Sequence, residues 1–422
     1  MTSDALGLLA VGGFVALIAC LVARSRLSPG LKAVLVAALA LRVVGGILRY
    51  AVLWGVYDGV GDAVAYYGEG LALADDLRHL DLTSFSELYG AFGGGIIGTR
   101  FVYLPTALVL MLVGPSMLAG FIAFSLIAFV GLLCFAEAFR RTYPDARVTS
   151  YAALLLLFPS LWYWPSSIGK EALLFLAVGL VTLGFVGNGR RPAWITLLLG
   201  ISLVFLVRPE LAGVLALAFA ITQLIVSRRH ATSLASVLSG AALAALGIGV
   251  LWWASQTLGL ASLGVTDVQS FVETHPTRRI EHGTLVDAPA LTPLGAPQAL
   301  ANVLARPFVW EASNPMVMLS AIELLVLWGL VWRRRRHLRA ALGSWRDDRA
   351  LAFSFSFVLV YGLALGFIVV NVGIIARQRT LLLPALFLLL ARPLPLTGVV
   401  RLQTGTGAPA HTTSFRPAAI DA

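Results

Sequence analysis

The sequence predicts an all-α protein, a polytopic bundle of transmembrane helices, and three observations predict it. Hydrophobic residues make up 59% of the 422 residues and charged residues only 12%, which is about half the charged share of a soluble protein. The mean hydropathy is +0.87. Many apolar runs approach the roughly 20 residues that cross a bilayer as a helix, and their continuity excludes the alternating pattern of a membrane β-barrel.

The first two spans are predicted at Leu6–Val22 and Leu31–Trp54. The residues between them include Arg24, Arg26 and Lys32. Basic residues collect in the cytoplasmic loops of membrane proteins. This connection is therefore expected inside and the N-terminus outside, so that the chain after Trp54 begins an outer loop.

The later apolar runs are predicted to cross the membrane in alternating directions. A basic cluster, which marks a cytoplasmic loop, recurs after about every second run. The predicted spans are Met117–Glu137, Tyr151–Trp164, Ala172–Val186, Ala193–Val207, Leu211–Val226, Leu234–Leu258, Val317–Trp332, Leu351–Val370 and Leu381–Leu390. Phe101–Val113 is expected to be re-entrant or interfacial, since a full crossing there would place Arg140 and Arg141 outside. The total is about eleven crossings, with the C-terminus in the cytoplasm.

Two charged residues lie inside predicted spans. Arg42 is near the middle of the second span, where an unpaired arginine costs several kcal/mol, so it is expected to face the bundle interior or a wet cavity. Glu323, in the middle of a later span, is the candidate partner of Arg42.

We predict one integral membrane domain over 1–391, with large outer loops at about 55–97 and 259–315. The tail 392–422 contains Pro, Gly, Thr and Ser and is predicted to be disordered and cytoplasmic. The preference for arginine over lysine, with abundant Ala, Leu, Gly and Val, suggests a GC-rich bacterial genome and therefore the plasma (inner) membrane. The basic clusters set membrane orientation, and no nucleic-acid partner is expected.

The candidate functional residues gather on the predicted outer side. The stretch from Val60 reads VGDAVAYYGEGLALADD, an acidic segment in a chain of net charge +10. The candidates are Asp62, Tyr66, Arg100, Lys170, Glu171, Arg208, Glu210, Arg377 and Arg379. A carboxylate can act as a general base, and arginine binds phosphate with two parallel hydrogen bonds. The pattern predicts transfer of a group from a phosphate-bearing donor.

Structural interpretations compete with these functional ones. Arg208-Pro209-Glu210 is equally consistent with a tight turn closed by an interfacial ion pair. Lys170 and Glu171 can instead belong to an ordinary helix start, where a glutamate is favoured by the helix dipole. His275 and His282, in the second outer loop, have the wrong spacing for metal ligands on one helix face.

Three stretches carry a resemblance to a known family: GDAVAYYGEG, FVYLPTALVLMLVG and FPSLWYWPSSIGKEALL. Together they resemble the GT-C superfamily of polytopic membrane glycosyltransferases, over roughly 51–210. The resemblance implies a sugar donor linked to polyprenyl phosphate. It also implies that the reaction takes place on the extracytoplasmic face of the membrane, where the protein contacts membrane lipids. It implies catalytic roles for Asp62 and Glu171 and a lipid-phosphate role for Arg208 and the arginines of NVGIIARQRTLLLP. It leaves a divalent metal ion open as a cofactor.

Three alternatives stay open at this stage. The arginine-bearing outer segments also resemble the O-antigen polymerase and ligase group, which joins lipid-linked oligosaccharides. A transporter or flippase for an amphiphile would require a polar pathway with sites on both faces of the membrane. If the protein is a non-enzymatic scaffold, no closed, charged cavity is expected under the acidic loop. The sequence contains no P-loop, dinucleotide fingerprint, HExxH or Gly-x-Ser-x-Gly motif.

Overall fold

The protein is represented by a computed structural model, which describes residues 3–81, 86, 90, 95–186, 192–227, 234–257, 286, 289–290, 292–312 and 314–393. Every extended regular element in these ranges is a helix, which confirms the all-α prediction. The predicted tail beyond residue 393 and most of the second outer loop, with His275 and His282, lie outside the described residues.

The helices fall into an N-terminal and a C-terminal group. The first group comprises α1 (Ser3–Arg24), α2 (Pro29–Gly55), α3 (Asp62–Arg78), α4 (Thr99–Val113), α5 (Met117–Thr142), α6 (Val148–Leu157), α7 (Pro159–Tyr163), α8 (Lys170–Val186), α9 (Pro192–Val207), α10 (Pro209–Ser227) and α11 (Leu234–Thr257). The second comprises α12 (Ala296–Leu304), α13 (Pro315–Arg333), α14 (Arg335–Ser344), α15 (Arg349–Ile368), α16 (Val372–Arg379) and α17 (Leu383–Ala391).

Among the described residues, seven segments are long and apolar enough to cross a membrane, which supports a multi-pass membrane protein. They are α1, α2, α5, α10, α13, α15 and the segment Val372–Ala391, which joins α16 to α17. The predicted count of about eleven is not confirmed, because several predicted spans, such as Ala193–Val207, form shorter helices. The apolar run with Pro105, which was expected to be re-entrant or interfacial, forms α4, a helix of 15 residues that continues through the proline.

The predicted span Tyr151–Trp164 is interrupted in its middle. Phe158 adopts extended backbone angles, φ −67° and ψ 129°, and Pro159 begins α7, because a residue that precedes proline is pushed away from the helical region. The break leaves two backbone groups in need of partners. The Ser160 N–H donates to Glu323 Oε1 at 2.6 Å, and Arg42 Nη1 donates to the Leu161 carbonyl at 3.0 Å.

The two intramembrane charges therefore do not bind each other, contrary to the sequence-based pairing. Arg42 is completely buried, with its guanidinium 5.8 Å from the centre of the Phe129 ring. Broken helices persist at membrane depth where side chains satisfy the freed backbone groups. Arg42 binds the backbone carbonyl of Leu161, and Glu323 binds the backbone N–H of Ser160. These contacts explain why two charged residues lie inside predicted spans without an obvious charged partner in the sequence.

Helices α5 and α8 meet through glycine on both sides. A Cβ atom at Gly131 would lie 2.3 Å from the Phe175 carbonyl oxygen, and one at Gly179 would lie 2.2 Å from the Gly131 carbonyl oxygen. Small residues allow membrane helices to approach until their backbones touch. Because α8 begins at Lys170, this contact also fixes the position of Glu171.

We expect Gly179→Ala to lower the thermal stability of the purified protein, since the added methyl group forces α5 and α8 apart. Overpacking of this kind costs about 1–3 kcal/mol. Gly12→Ala on α1 is the matched control, because nothing lies within 4 Å of a Cβ atom there. Unfolding followed by tryptophan fluorescence in detergent measures both variants. Equal melting temperatures for the two would contradict the close contact.

Candidate functional site

The site is built around Glu171, in the first turn of α8. Its side chain is only 7% exposed, yet two arginines reach it from other parts of the chain. Arg377 Nη2 donates to Glu171 Oε2 at 2.6 Å, and Arg208 Nη2 lies 3.8 Å from Glu171 Oε1. Two neighbouring cations favour the ionised form of a buried carboxylate. Glu171 is therefore the anionic centre of a three-residue ion cluster.

The turn before α8 holds Glu171 in place. Ser166 Oγ and Ser125 Oγ are hydrogen-bonded at 2.6 Å, which ties the turn to α5. Arg49 Nη2, from α2, donates to Ser167 Oγ at 3.4 Å. Gly45 allows α2 to approach, since a Cβ there would lie 2.7 Å from Ser166 Oγ. The turn is thus fixed from two sides immediately before the site.

Arg208 lies at a helix junction. Helix α9 ends at Val207 and α10 begins at Pro209, whose ring lacks the N–H that a continuing helix would need. The Arg208 N–H still donates to the Val204 carbonyl at 2.7 Å. The predicted tight turn is therefore present as a junction between two helices, and the Arg208 side chain points to Glu171.

Arg377 lies on α16, in the connection between the last two predicted spans. This connection is helical from Val372 to Arg379, and Asn371 caps the helix by accepting from the Ile374 N–H at 3.2 Å. A capping asparagine directly before an apolar residue is the signal that could have indicated this helix. The Nε of Arg377 is buried without a hydrogen-bond partner in the described structure.

Helix α3 brings Asp62 and Tyr66 to the cluster. Asp62 is the first residue of the helix and is exposed, whereas Tyr66, one turn on, is buried. Asp62 interacts electrostatically with Tyr66, Lys170 and Arg377. Burial, followed by the charges of Asp62 and Glu171, raises the pKa of Tyr66 above its ordinary value. Tyr66 therefore stays a neutral phenol that can donate a hydrogen bond.

Lys170, Glu210 and Tyr361 complete the cluster. Lys170 interacts electrostatically with Arg208, Glu210, Glu171 and Asp62. Tyr361, on α15, interacts with Arg208, Glu210 and Glu171. The sequence analysis missed Tyr361, because a tyrosine inside a long apolar run has no pattern that separates it from a core residue. Seven of the predicted residues come together here: Asp62, Tyr66, Lys170, Glu171, Arg208, Glu210 and Arg377.

The two remaining predicted residues are Arg100 and Arg379. Arg100 interacts electrostatically with Tyr103 on the same helix and directly follows Thr99, whose side chain is hydrogen-bonded to Tyr66. Arg379 is 4% exposed, and its Nη1 donates to the carbonyls of Val303 at 3.2 Å and Arg306 at 2.8 Å. This arginine ties α16 to the end of α12 instead of pointing to Glu171. The pair Arg377 and Arg379, which looks uniform in sequence, therefore has two different environments.

We expect Arg379→Met to destabilise the protein, because the buried carbonyl of Val303 and the part-buried carbonyl of Arg306 lose their donor, at a cost of about 1–3 kcal/mol. Arg339→Met is the control, since Arg339 is exposed on α14. Melting temperatures in detergent distinguish the two. If Arg379→Met melted with the control but lost ligand binding, Arg379 would belong to the site itself.

Among the residues that the structure describes, no group of three or more His, Cys, Asp or Glu side chains could hold a metal ion. The positive charge of the described cluster comes from Lys170, Arg208 and Arg377. Comparison with protein-family models, with curated proteins and with solved structures gave no match.

Proposed function

We propose that the protein is a glycosyltransferase of the GT-C type, which transfers a sugar from a polyprenyl-phosphate donor to a cell-envelope glycan, lipid or protein. One observation carries this proposal. An exposed carboxylate, Asp62, lies beside a group of cations that come from α8, the α9–α10 junction and α16. These residues are distant in sequence but close in space. Neither a non-enzymatic scaffold nor an ordinary helix start at Lys170 and Glu171 would require such a cluster.

The proposed chemistry uses these groups in order. Asp62 accepts the proton of an acceptor hydroxyl, whose oxygen forms a bond to the sugar C1. The bond between C1 and the donor phosphate oxygen breaks, and polyprenyl phosphate leaves. Arg208 and Arg377 stabilise the negative charge that develops on the phosphate, as arginine clamps do in phosphoryl sites. Tyr66 supplies a neutral hydrogen-bond donor beside them.

In this proposal Glu171 holds the two arginines ready for the phosphate. A carboxylate with two arginines bound to it is a weak base, so the proton acceptor is assigned to Asp62 and not to Glu171. The exposure of Asp62 supports the assignment, because an acceptor from the aqueous phase must reach it.

The proposal places the cluster on the extracytoplasmic side of a bacterial plasma membrane, with the N-terminus outside and the C-terminus inside. Arginine positions support this orientation. Arg140 and Arg141 lie in the last turn of α5, and Arg333 lies in the last turn of α13. Clusters of this kind mark cytoplasmic helix ends, whereas Glu171 lies at the first turn of α8.

A lipid-linked oligosaccharide polymerase or ligase is the second candidate. The part-exposed position of Arg377 beside Glu171 favours it, because that group relies on arginines at the outer face. The two candidates differ in the role of Asp62, which the second reaction does not need.

The test uses the purified protein in lipid nanodiscs with a panel of polyprenyl-phosphate sugars and lipid-linked oligosaccharides, and with an envelope extract as acceptor. We expect release of polyprenyl phosphate from at least one donor. Sugar nucleotides serve as the control and should not be consumed. Consumption of sugar nucleotides alone would overturn the proposal, and consumption of lipid-linked oligosaccharides alone would favour the second candidate.

A further inference from the structure

A cavity of about 440 Å³ lies between α2, α7 and α13. Its walls are mainly apolar, with contributions from Leu48, Trp162, Met316 and Val326. None of the residues of the charged cluster lines it. Cavities of this size and character are typical of ligand sites.

The cavity can be reached from the lipid side of the bundle. Of its wall residues, Leu48 is 42% exposed, Leu319 is 61% exposed and Val326 is 59% exposed. All three lie on α2 or α13, helices long and apolar enough to cross a membrane. An aliphatic chain dissolved in the bilayer could therefore enter between these helices without crossing water.

One strong acceptor lies in this apolar space. Glu323 lines the cavity, and its Oε1 already accepts from the Ser160 N–H at 2.6 Å. A carboxylate has about four acceptor positions, so Glu323 retains capacity for a further hydrogen bond. The hydroxyl of Ser320, also in the wall, donates to the Met316 carbonyl at 3.1 Å and can accept in turn.

We propose that this cavity binds a single-chain amphiphile whose polar end donates a hydrogen bond, such as a long-chain alcohol, with the donor directed to Glu323. The apolar walls take the chain. No lysine or arginine is among the described residues that line the cavity, so an anionic headgroup finds a carboxylate in the wall and no cation there. Arg379 interacts electrostatically with Glu323 but does not line the cavity, and its Nη1 is bound to two backbone carbonyls. The occupant is thus chemically different from the phosphate-bearing donor that we propose for the charged cluster.

The chemistry of the cavity wall further restricts the class of ligand that can bind. A fatty acid in its ionised form would bury a carboxylate in an apolar cavity whose described wall offers no lysine or arginine, which is costly. A plain hydrocarbon would leave the acceptor capacity of Glu323 unused. An alcohol satisfies Glu323 and fills the apolar walls, so it is favoured over both.

The experiment uses hexadecanol with a photoreactive diazirine in its chain and the full-length protein in detergent. Crosslinked residues are mapped by mass spectrometry, with unlabelled hexadecanol or its methyl ether as competitor. We expect saturable labelling of α7 and α13 at the cavity walls. The alcohol should compete about tenfold better than the ether, because one hydrogen bond of about 1.4 kcal/mol corresponds to a factor of ten in affinity.

Glu323→Gln replaces the acceptor that faces the ligand with a hydrogen-bond donor. Its carbonyl oxygen can still accept from Ser160, while its amide N–H₂ becomes a donor towards the ligand. We expect this variant to lose the preference for the alcohol, while Glu137→Gln, at the far end of α5, keeps it. Val52→Phe narrows the cavity and leaves Glu323 in place, so it should reduce labelling even if Glu323→Gln does not fold.

Three results would overturn the proposal: labelling spread over the exposed face of α1 without saturation, an unchanged alcohol preference in Glu323→Gln, or full labelling of Val52→Phe. Asp62→Asn should not alter the labelling, since Asp62 does not line the cavity. Failure of this proposal and failure of the proposed transferase activity are therefore separate outcomes.

Discussion

Replacement of Glu171 by alanine is expected to lower the free energy of unfolding by about 3 kcal/mol, the upper end of the usual cost of leaving charged donors without their acceptor. The reason is that Arg377, whose side chain is 31% exposed, would lose the nearly buried carboxylate that now lies 2.6 Å away. Arg208 would lose the same partner. Denaturation of the purified protein, followed by tryptophan fluorescence, measures the loss.

The matched control for this variant is Glu137→Ala. Glu137 also bonds two arginines, Arg140 and Arg141, both at 2.7 Å, but that cluster is exposed to solvent. Exposed ion pairs contribute about 0–1 kcal/mol, so the control should change little. A double variant, Glu171→Ala with Arg377→Met, should recover much of the stability. Equal effects of the two glutamate variants would contradict a buried, mutually dependent cluster.

The second large effect is expected for Asp62→Asn, on activity and not on stability. Asparagine preserves the size of the side chain but cannot accept a proton, and general-base catalysis contributes about 10²–10⁴-fold to a rate. The melting temperature should stay close to that of the wild type, because Asp62 is exposed at the start of α3. The measured quantity is the rate of polyprenyl-phosphate release.

Glu69→Gln is the control for Asp62→Asn. Glu69 is exposed on the same helix, and it interacts electrostatically with Tyr103. This variant should keep the wild-type rate. Unchanged transfer by Asp62→Asn would remove Asp62 as the base and would favour the polymerase or ligase reaction, for which Arg377 is the residue to replace.

Composition and apolar run length were sufficient to predict the helical membrane class, because bilayer thickness imposes a length on every span. They were not sufficient for the number of spans. The segment from Tyr151 to Trp164 has the composition of a span, but Pro159 interrupts it, and Glu323 and Arg42 stabilise the interruption. A break that depends on side chains from other helices is a tertiary property that run length does not contain.

The candidate site shows the same limit. The predicted outer side of the membrane, together with the family resemblance, was enough to select Asp62, Glu171 and Arg208. The difference between Arg377 and Arg379 was not predictable. The two arginines are separated by one residue, and a rotation of about 200° around a helix directs them to different neighbours: Glu171 for the first, and the carbonyls of Val303 and Arg306 for the second.

The most direct test of the central claim is lipid binding, measured by native mass spectrometry of the protein with polyprenyl phosphate and with the uncharged polyprenol of the same length. We predict that the phosphate binds at least about tenfold more tightly, since charge-assisted hydrogen bonds contribute about 1.5–3 kcal/mol. Arg208→Met should remove most of this difference. Equal binding of the two lipids by the wild-type protein would contradict a phosphate site formed by Arg208 and Arg377.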